Sequence, residues 1–267
     1  YTLPSKRRTY DVELQHNFAS FGAHTLIIGV HGRYTKGKFL NAAAFPVFVT
    51  DDENFIISAF FQDTVALSPH LSLTLGAKFE YNDYTKVEIQ PSVRLLYSAE
   101  DWTVWAGFSR AARTPSASEK GSVALVSVSP LPLYFAVKDL KSEYLDSFEL
   151  GYRQKFSEKF SIDVTAYHNH YTSLRSLDAA NIYFTADNSL TGRFGFGLEI
   201  PYSNNARANV FGAELSFNWL INPQWRLHGS YSFDKLDIYN SPTIETEKDH
   251  PQNMVTFQSY YDVTKKL

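Results

Sequence analysis

The chain contains no cysteine, which excludes a disulfide framework, a thiolate metal centre and thiol catalysis. Passage through an oxidising compartment is compatible with that absence. No apolar run approaches the ~18 residues that a membrane-spanning helix needs. A membrane-spanning strand is not excluded, because it needs an apolar residue only at alternate positions and so keeps mean hydropathy low. There is no basic excess either. The 25 Lys and Arg stand against 28 Asp and Glu, for a net charge of −3, so nothing favours a phosphate backbone and nucleic acid is not an expected partner. Only one methionine is present and the first residue is Tyr1. No start residue or signal peptide is visible, as expected of a processed or truncated piece.

Aromatic residues are abundant. The 267 residues include 17 Tyr, 21 Phe and 4 Trp, and the way they are spaced sets the fold class. From Leu71 to Tyr81 the residues Leu71, Leu73, Leu75, Ala77, Phe79 and Tyr81 share one side, and Ser72, Thr74, Gly76, Lys78 and Glu80 the other. Phe148, Leu150, Tyr152 and Phe156 likewise oppose Glu149, Arg153 and Lys155. Phe211, Ala213, Leu215, Phe217 and Trp219 oppose Gly212, Glu214, Ser216 and Asn218. Trp225, Leu227, Tyr231 and Phe233 oppose Arg226, His228, Ser230 and Ser232. A period of two with one apolar and one wet side predicts strands.

About eleven such segments are predicted, over roughly 6–18, 24–36, 53–68, 71–83, 86–98, 102–113, 143–156, 160–174, 208–221, 225–239 and 252–262. Most exceed the usual globular strand of about 5–6 residues, and a tilted strand of about 9–11 already crosses a bilayer. The connections tend to alternate in length. Short ones fall near Ser20–Ala23, Pro69–His70, Ser98–Asp101, Ser157–Lys159, Asn222–Gln224 and Thr264–Lys266; long ones span Gly37–Asp52, Thr114–Ser142, Leu174–Arg207 and Asn240–Pro251. Asn82–Lys86 is a short member of the long series. Short turns at one end and long loops at the other is the layout of an outer-membrane barrel. Trp102, Phe160 and Trp225 open their segments directly after short turns and Trp219 closes one, where an interfacial aromatic girdle belongs. A soluble all-β binding module, a passive porin and a barrel enzyme are the alternatives.

Two stretches resemble the TonB-dependent outer-membrane receptors. The first, Phe60 to Ser118, runs FFQDTVALSPHLSLTLGAKFEYNDYTKVEIQPSVRLLYSAEDWTVWAGFSRAARTPSAS, with F-x-Q-D, L-T-L-G, Q-P-S-x-R-L and W-A-x-x-S-R-A-x-R-T-P in order. The second, Ser142 to Arg175, runs SEYLDSFELGYRQKFSEKFSIDVTAYHNHYTSLR, with E-x-L-x-S-x-E-L-G-Y-R and Y-x-N-x-Y-x-x-L-R either side of a short turn. The resemblance implies an all-β, antiparallel transmembrane β-barrel. The chain would be partial, contributing about eleven strands of a 22-stranded barrel, with residues 1–267 all in that domain and no plug domain. Ending at Lys265-Lys266-Leu267, it would lack the family's final strands. Such a piece would have two open edges that lipid cannot satisfy, and would not insert alone.

By the same resemblance the parent protein sits in the bacterial outer membrane and actively imports a scarce nutrient such as a ferric siderophore or cobalamin. Its partners are outer-membrane lipid and lipopolysaccharide, the receptor's own plug domain, TonB acting through that plug, and a small-molecule ligand such as an iron chelate. Candidate ligand or plug contacts on the wet sides are Arg33, Lys78, Glu80, Arg94, Glu149 and Arg153, joined by Arg113 beside Thr114-Pro115; Asp163, Glu214 and Arg226 share those sides. The bland alternative for each is a solvated lumen wall or, for Arg113, a pair with a neighbouring strand. Arg110 falls on the apolar side, eight residues beyond Trp102, and is placed to reach a lipid headgroup. His168 and His170 form an H-x-H, but they continue the apolar side of Phe160, Ile162, Val164 and Ala166, so an interface position is expected rather than a metal site.

No nucleophile, base and orienting carboxylate are brought together by strand position, and no phosphate-binding glycine loop opens a helix. Neither an enzyme nor a cofactor is expected. The long loops 114–142 and 174–207 are the expected seat of specificity. The first is apolar at Val126 and Pro130–Phe135; the second holds Asn181–Phe184 and the glycine-spaced run Gly192–Gly197, a tightly turned or mobile loop.

Overall fold

A computed structural model describes residues 5–39, 47–48, 52–116, 119, 123–128, 131–136, 140–177, 183–185, 197–241 and 250–264. Its strands are β1 (Ser5–Asn17), β2 (His24–Phe39), β3 (Val47–Phe48), β4 (Asp52–Ala66), β5 (Leu71–Asn82), β6 (Lys86–Ser98), β7 (Trp102–Arg113), β8 (Val123–Val128), β9 (Leu131–Ala136), β10 (Glu143–Ser157), β11 (Phe160–Leu177), β12 (Tyr183–Thr185), β13 (Gly197–Asn222), β14 (Trp225–Tyr239) and β15 (Asn253–Tyr261). Eleven of them form one open antiparallel wall in the order β1-β2-β4-β5-β6-β7-β10-β11-β13-β14-β15. Each pairs with the next wall strand in sequence, as expected of an up-and-down barrel. Among the described residues, β1 and β15 each pair on one side only.

The alternation read from the sequence becomes two faces because directly paired residues share a side. Leu71, Leu73 and Leu75 pair with Tyr97, Leu95 and Val93, and Phe148 and Leu150 with Phe108 and Ala106. Thr74, Lys78 and Glu80 pair with Arg94, Gln90 and Glu88. The recesses lie on the polar side, so that face is concave and the apolar face convex.

A soluble domain would bury the apolar set. Here Phe148 is 52% and Leu150 58% exposed, while the buried residues include Glu88, Asn82, Ser142, Ser58 and Thr35. That inversion fits a wall with lipid outside and water inside. Rings band the short-turn end of the convex face: Tyr97 on Trp102 at 5.1 Å, Phe156 on Phe160 at 5.5 Å, and Phe160 on Trp219 at 6.2 Å.

At the long-loop end the structure departs from the expected loops. The segment 174–207 is not all loop: β11 runs on to Leu177 and β13 starts at Gly197. The first residues of β13 pair with β12 and, in parallel, with β9; β9 pairs with β8, and β8 with β3. The outer segments thus supply a second small sheet. Its strands are rich in Val, Leu, Tyr and Phe, which favour extended backbone. The change from wall to outer sheet falls at bulges in the β11–β13 register between Tyr171 and Ser176, where Ser173 has φ 57 and Asn204 Nδ2 donates to its carbonyl at 2.7 Å. Trp219, read as closing its strand, sits three residues before the end of β13. Pro130 and 192–196 of the glycine-spaced run lie outside the described residues.

Candidate functional site

All seven candidate contact residues project from the concave face. Arg33 on β2 is ion-paired with Asp11 directly opposite on β1, and His31 meets the same carboxylate at 3.2 Å. Lys78 binds Glu80 on its own strand at 2.6 Å. Arg153 on β10 donates to Asp163 on β11 at 2.5 Å. The Arg33 and Arg153 pairs each cross one ladder rung and the Lys78 pair lies along its own strand; all are partly exposed, so their main effect is to fix where charge points on the concave face.

Glycines let some contacts skip a strand. Arg94, Gly107 and Glu149 occupy one row across β6, β7 and β10. With no side chain between them, Arg94 Nη2 comes to 3.9 Å from Glu149 Oε1. Glu149 also accepts from Trp105 Nε1. That indole lies over Gly151, its direct partner, where any Cβ would collide with the ring. The row Tyr167, Gly212, Asp234 repeats the device: Tyr167 donates across β13 to Asp234, and a Cβ at Gly212 would strike both. Aromatic rings laid over glycines keep the wall thin and its registers pinned. The Arg94–Glu149 row borders a groove of about 370 Å³ whose lining includes Gln62, Thr74, Ser92 and Ser147.

Arg113 stands higher, at the long-loop end. It reaches Glu143 on β10 at 3.0 Å and donates to both oxygens of Glu119 in the following segment, at 2.9 and 3.1 Å. Arg175 on β11 joins the cluster, donating to Glu119 at 2.6 Å, and lies over the Tyr202 ring at 5.3 Å. Ser116 donates to Glu119 from both its amide and its hydroxyl. Burial pushes the Glu119 carboxyl upward, but the Ser116 amide, the Arg113 guanidinium and the Ser116 hydroxyl outweigh it and hold the group at about 2. Two arginines and two carboxylates thus tie the 114–142 segment to the wall. Glu119, Glu143 and Arg175 were not singled out from sequence: Glu119 lies outside any alternating run, and no spacing rule joins it to β11.

A second polar knot beneath the β5–β6 turn was also missed. Glu88, 2% exposed, accepts from Thr85 at 2.6 Å, from Ser142 at 2.5 Å and from Tyr144 at 2.7 Å. Asn82 closes the turn by accepting from the amides of Tyr84 and Thr85. Pro91 offers the β6–β7 ladder no donor, and above that point the Gln90 side chain accepts from the Ala112 amide instead.

Arg110 projects from the convex face, as its parity requires, and is closed against Asp146 by two hydrogen bonds of 2.6 Å. In the neighbouring rungs His170 contacts Asn209 at 2.6 Å. Among the described residues no group of three His, Asp or Glu side chains is placed to hold a metal ion.

An open antiparallel wall with a wet, charge-lined hollow and an apolar, ring-banded outside is the wall of a membrane β-barrel. The chain belongs to the TonB dependent receptor-like, beta-barrel family, whose model matches residues 1–264. Its fold is similar to that of a ferric enterobactin receptor variant from Pseudomonas aeruginosa solved with enterobactin, at TM-score 0.78 and 15% identity over 98% of this chain and 40% of that one. The siderophore receptor PirA from Acinetobacter baumannii gives TM-score 0.74 at 15% identity, over 98% of this chain and 41% of that one. The outer membrane transporter YddB from Escherichia coli gives 0.60 at 15% identity, over 88% and 33%. No curated protein matches by sequence. The chain therefore spans about two fifths of the length of the siderophore receptors it matches. Family and fold neighbours are receptors and transporters, not enzymes.

Proposed function

We propose that this chain is barrel wall and outer-loop base of a bacterial outer-membrane receptor that imports an iron chelate of the siderophore class, driven by TonB. The observation that supports it best is the concave face, whose charged residues are fixed in direction yet left facing an open hollow, as suits a surface held against a second polar body. In this reading that body is the receptor's plug domain, and Arg33, Lys78, Glu80, Arg94, Glu149 and Arg153 offer it hydrogen bonds and ion pairs. Arg113 acts instead through the loop it ties down. The names of the siderophore receptors with this fold favour a ferric siderophore over cobalamin as the substrate. A barrel wall open at two edges must be completed by further strands, so transport belongs to the whole receptor.

The test is growth of a receptor-deletion strain, complemented with the full gene, on iron chelates and cobalamin supplied singly under limitation. Rescue by one ferric siderophore that disappears when TonB is deleted is the expected outcome. Rescue that persists without TonB would make the protein a passive pore.

A further inference from the structure

Between β6 and β7 the wall is split at its long-loop end. Their ladder ends at Ser92 opposite Ser109, although β6 begins at Lys86 and β7 runs on to Arg113. On either side the ladders continue, β5–β6 up to Lys86 and β7–β10 up to Arg113. Extending the register would set Ile89 opposite Ala112 and Glu88 opposite Arg113. The Ala112 amide already points at β6, where it meets the Gln90 side chain at 3.3 Å. In a closed ladder it would take the Ile89 carbonyl instead. Only Pro91, opposite Arg110, would leave a rung one donor short.

The split isolates a charge. Glu88 is 2% exposed, stands directly opposite Glu80 and accepts from three hydroxyls. Among the described residues no cation pairs with it: Lys78 is taken by Glu80, and Arg113 by Glu119 and Glu143. A buried carboxylate without a cation is costly. The guanidinium that the register assigns to it projects from the same concave face but is turned the other way. Its Nη2 serves both Glu119 oxygens and its Nη1 reaches Glu143. Glu143 is the direct partner of Arg113 on β10, so the contact free to change is the one with Glu119.

We infer that Arg113 is a two-position switch in the wall. Held by Glu119, it leaves β6 and β7 apart. Paired with Glu88, it closes the split and carries the ladder to the strand ends. Side chains with two discrete arrangements are the elements by which packed structures change state. The grip of Glu119 on Arg113 therefore decides whether the wall is continuous at the mouth of the lumen. The inference goes beyond the transport reading, because it rests on strand register and needs neither substrate nor TonB.

The test uses the full receptor in lipid vesicles, with any cysteine elsewhere replaced by serine and disulfide formation driven by copper–phenanthroline. Ser92→Cys with Ser109→Cys, at the last rung, lies within disulfide range and serves as the reference. Ile89→Cys with Ala112→Cys, across the split, is expected to join at least about fivefold more slowly. Adding Glu119→Ala frees Arg113 and should bring that pair to within about twofold of the reference. Adding Glu88→Gln as well should restore the slow rate, while neither substitution changes the reference pair. Equal rates for the two pairs in the parent would remove the split. A Glu119→Ala variant that stays slow, or one whose gain survives Glu88→Gln, overturns the switch. A reference pair that fails to join refutes the register itself, and a receptor that does not insert refutes the membrane reading.

Discussion

The two faces of the wall handle charge differently. On the concave face charges occur at every height, from Arg153 near a short turn, through Arg94 and Glu149, to Arg113 at the loop end. Several of these side chains are more than half exposed. On the convex face charges gather at the strand ends, and those that stand within the apolar band are paired: Asp63 with His24, Arg110 with Asp146, Lys235 with Asp237. An unpaired charge tolerated by water is costly against hydrocarbon. Both faces come from the same strands, so side-chain parity alone decides which rule applies.

Neighbouring residues of β13 offer the largest contrast. Leu215→Arg places a cation on the convex face about 9 Å above the Trp219 ring, and is expected to cost about 2–4 kcal/mol. Ser216→Arg, one residue on, faces the lumen beside Asp163 and should cost less than about 1 kcal/mol. Equilibrium unfolding of the receptor in lipid vesicles measures both; equal costs would erase the distinction between the faces.

Glycine substitutions sharpen it. Gly212→Val drives Tyr167 off Asp234 inside the wall and should cost about 1–3 kcal/mol by overpacking. Gly229→Val displaces Phe217 on the convex side, where the ring swings into fluid lipid chains, so a smaller loss is expected. Thermal unfolding of the two variants ranks them.

Removing Arg110 leaves Asp146 unpaired towards lipid. Arg110→Ala is expected to cost about 2 kcal/mol, most of it regained when Asp146→Ala is added. Arg153→Ala, on the wet side, should cost under about 1 kcal/mol. A double-mutant cycle at each pair reads the difference.

The most local effect concerns pH. Glu119 is held at about 2 against an ordinary 4.5, so its ion pairs contribute stability above about 4.5 that is lost as pH falls towards 2. Hydrogen exchange at the Ser116 amide, which donates to that carboxylate, should stay protected at pH 4 and lose protection near 2. In Glu119→Gln the protection should be weaker and independent of pH over that range.

Much of this wall was legible because lipid on one side and water on the other impose a period of two. The expected bounds of β6, β7 and β14 match the structure, since Trp102 and Trp225 follow turns too short to be anything else. The first eleven residues of β13 were not legible. Residues 197–201 pair with the short β9 and β12, 202–206 continue the β11 ladder only across bulges, and Pro201, Asn204 and Asn205 break the alternation. Parity also placed the seven lumen candidates and Arg110 on their proper faces. It could not show that Arg94 meets Glu149 over Gly107, because that contact needs the registers of three strands, set by turn length and bulges. Glu119 and Glu88 lay further out of reach, since hydroxyls and amides from separate segments converge on them only after folding.

This chain has no cysteine of its own, so the central claim is directly measurable. Single cysteines placed at each position from Phe211 to Trp219 in the vesicle-bound receptor, with any cysteine elsewhere in it replaced by serine, carry a spin label at one defined site. Accessibility to oxygen should peak at 211, 213, 215, 217 and 219, and accessibility to a water-soluble nickel complex at 212, 214, 216 and 218. A run with no alternation, or with every position open to the nickel complex, would contradict a wall that separates lipid from a wet lumen.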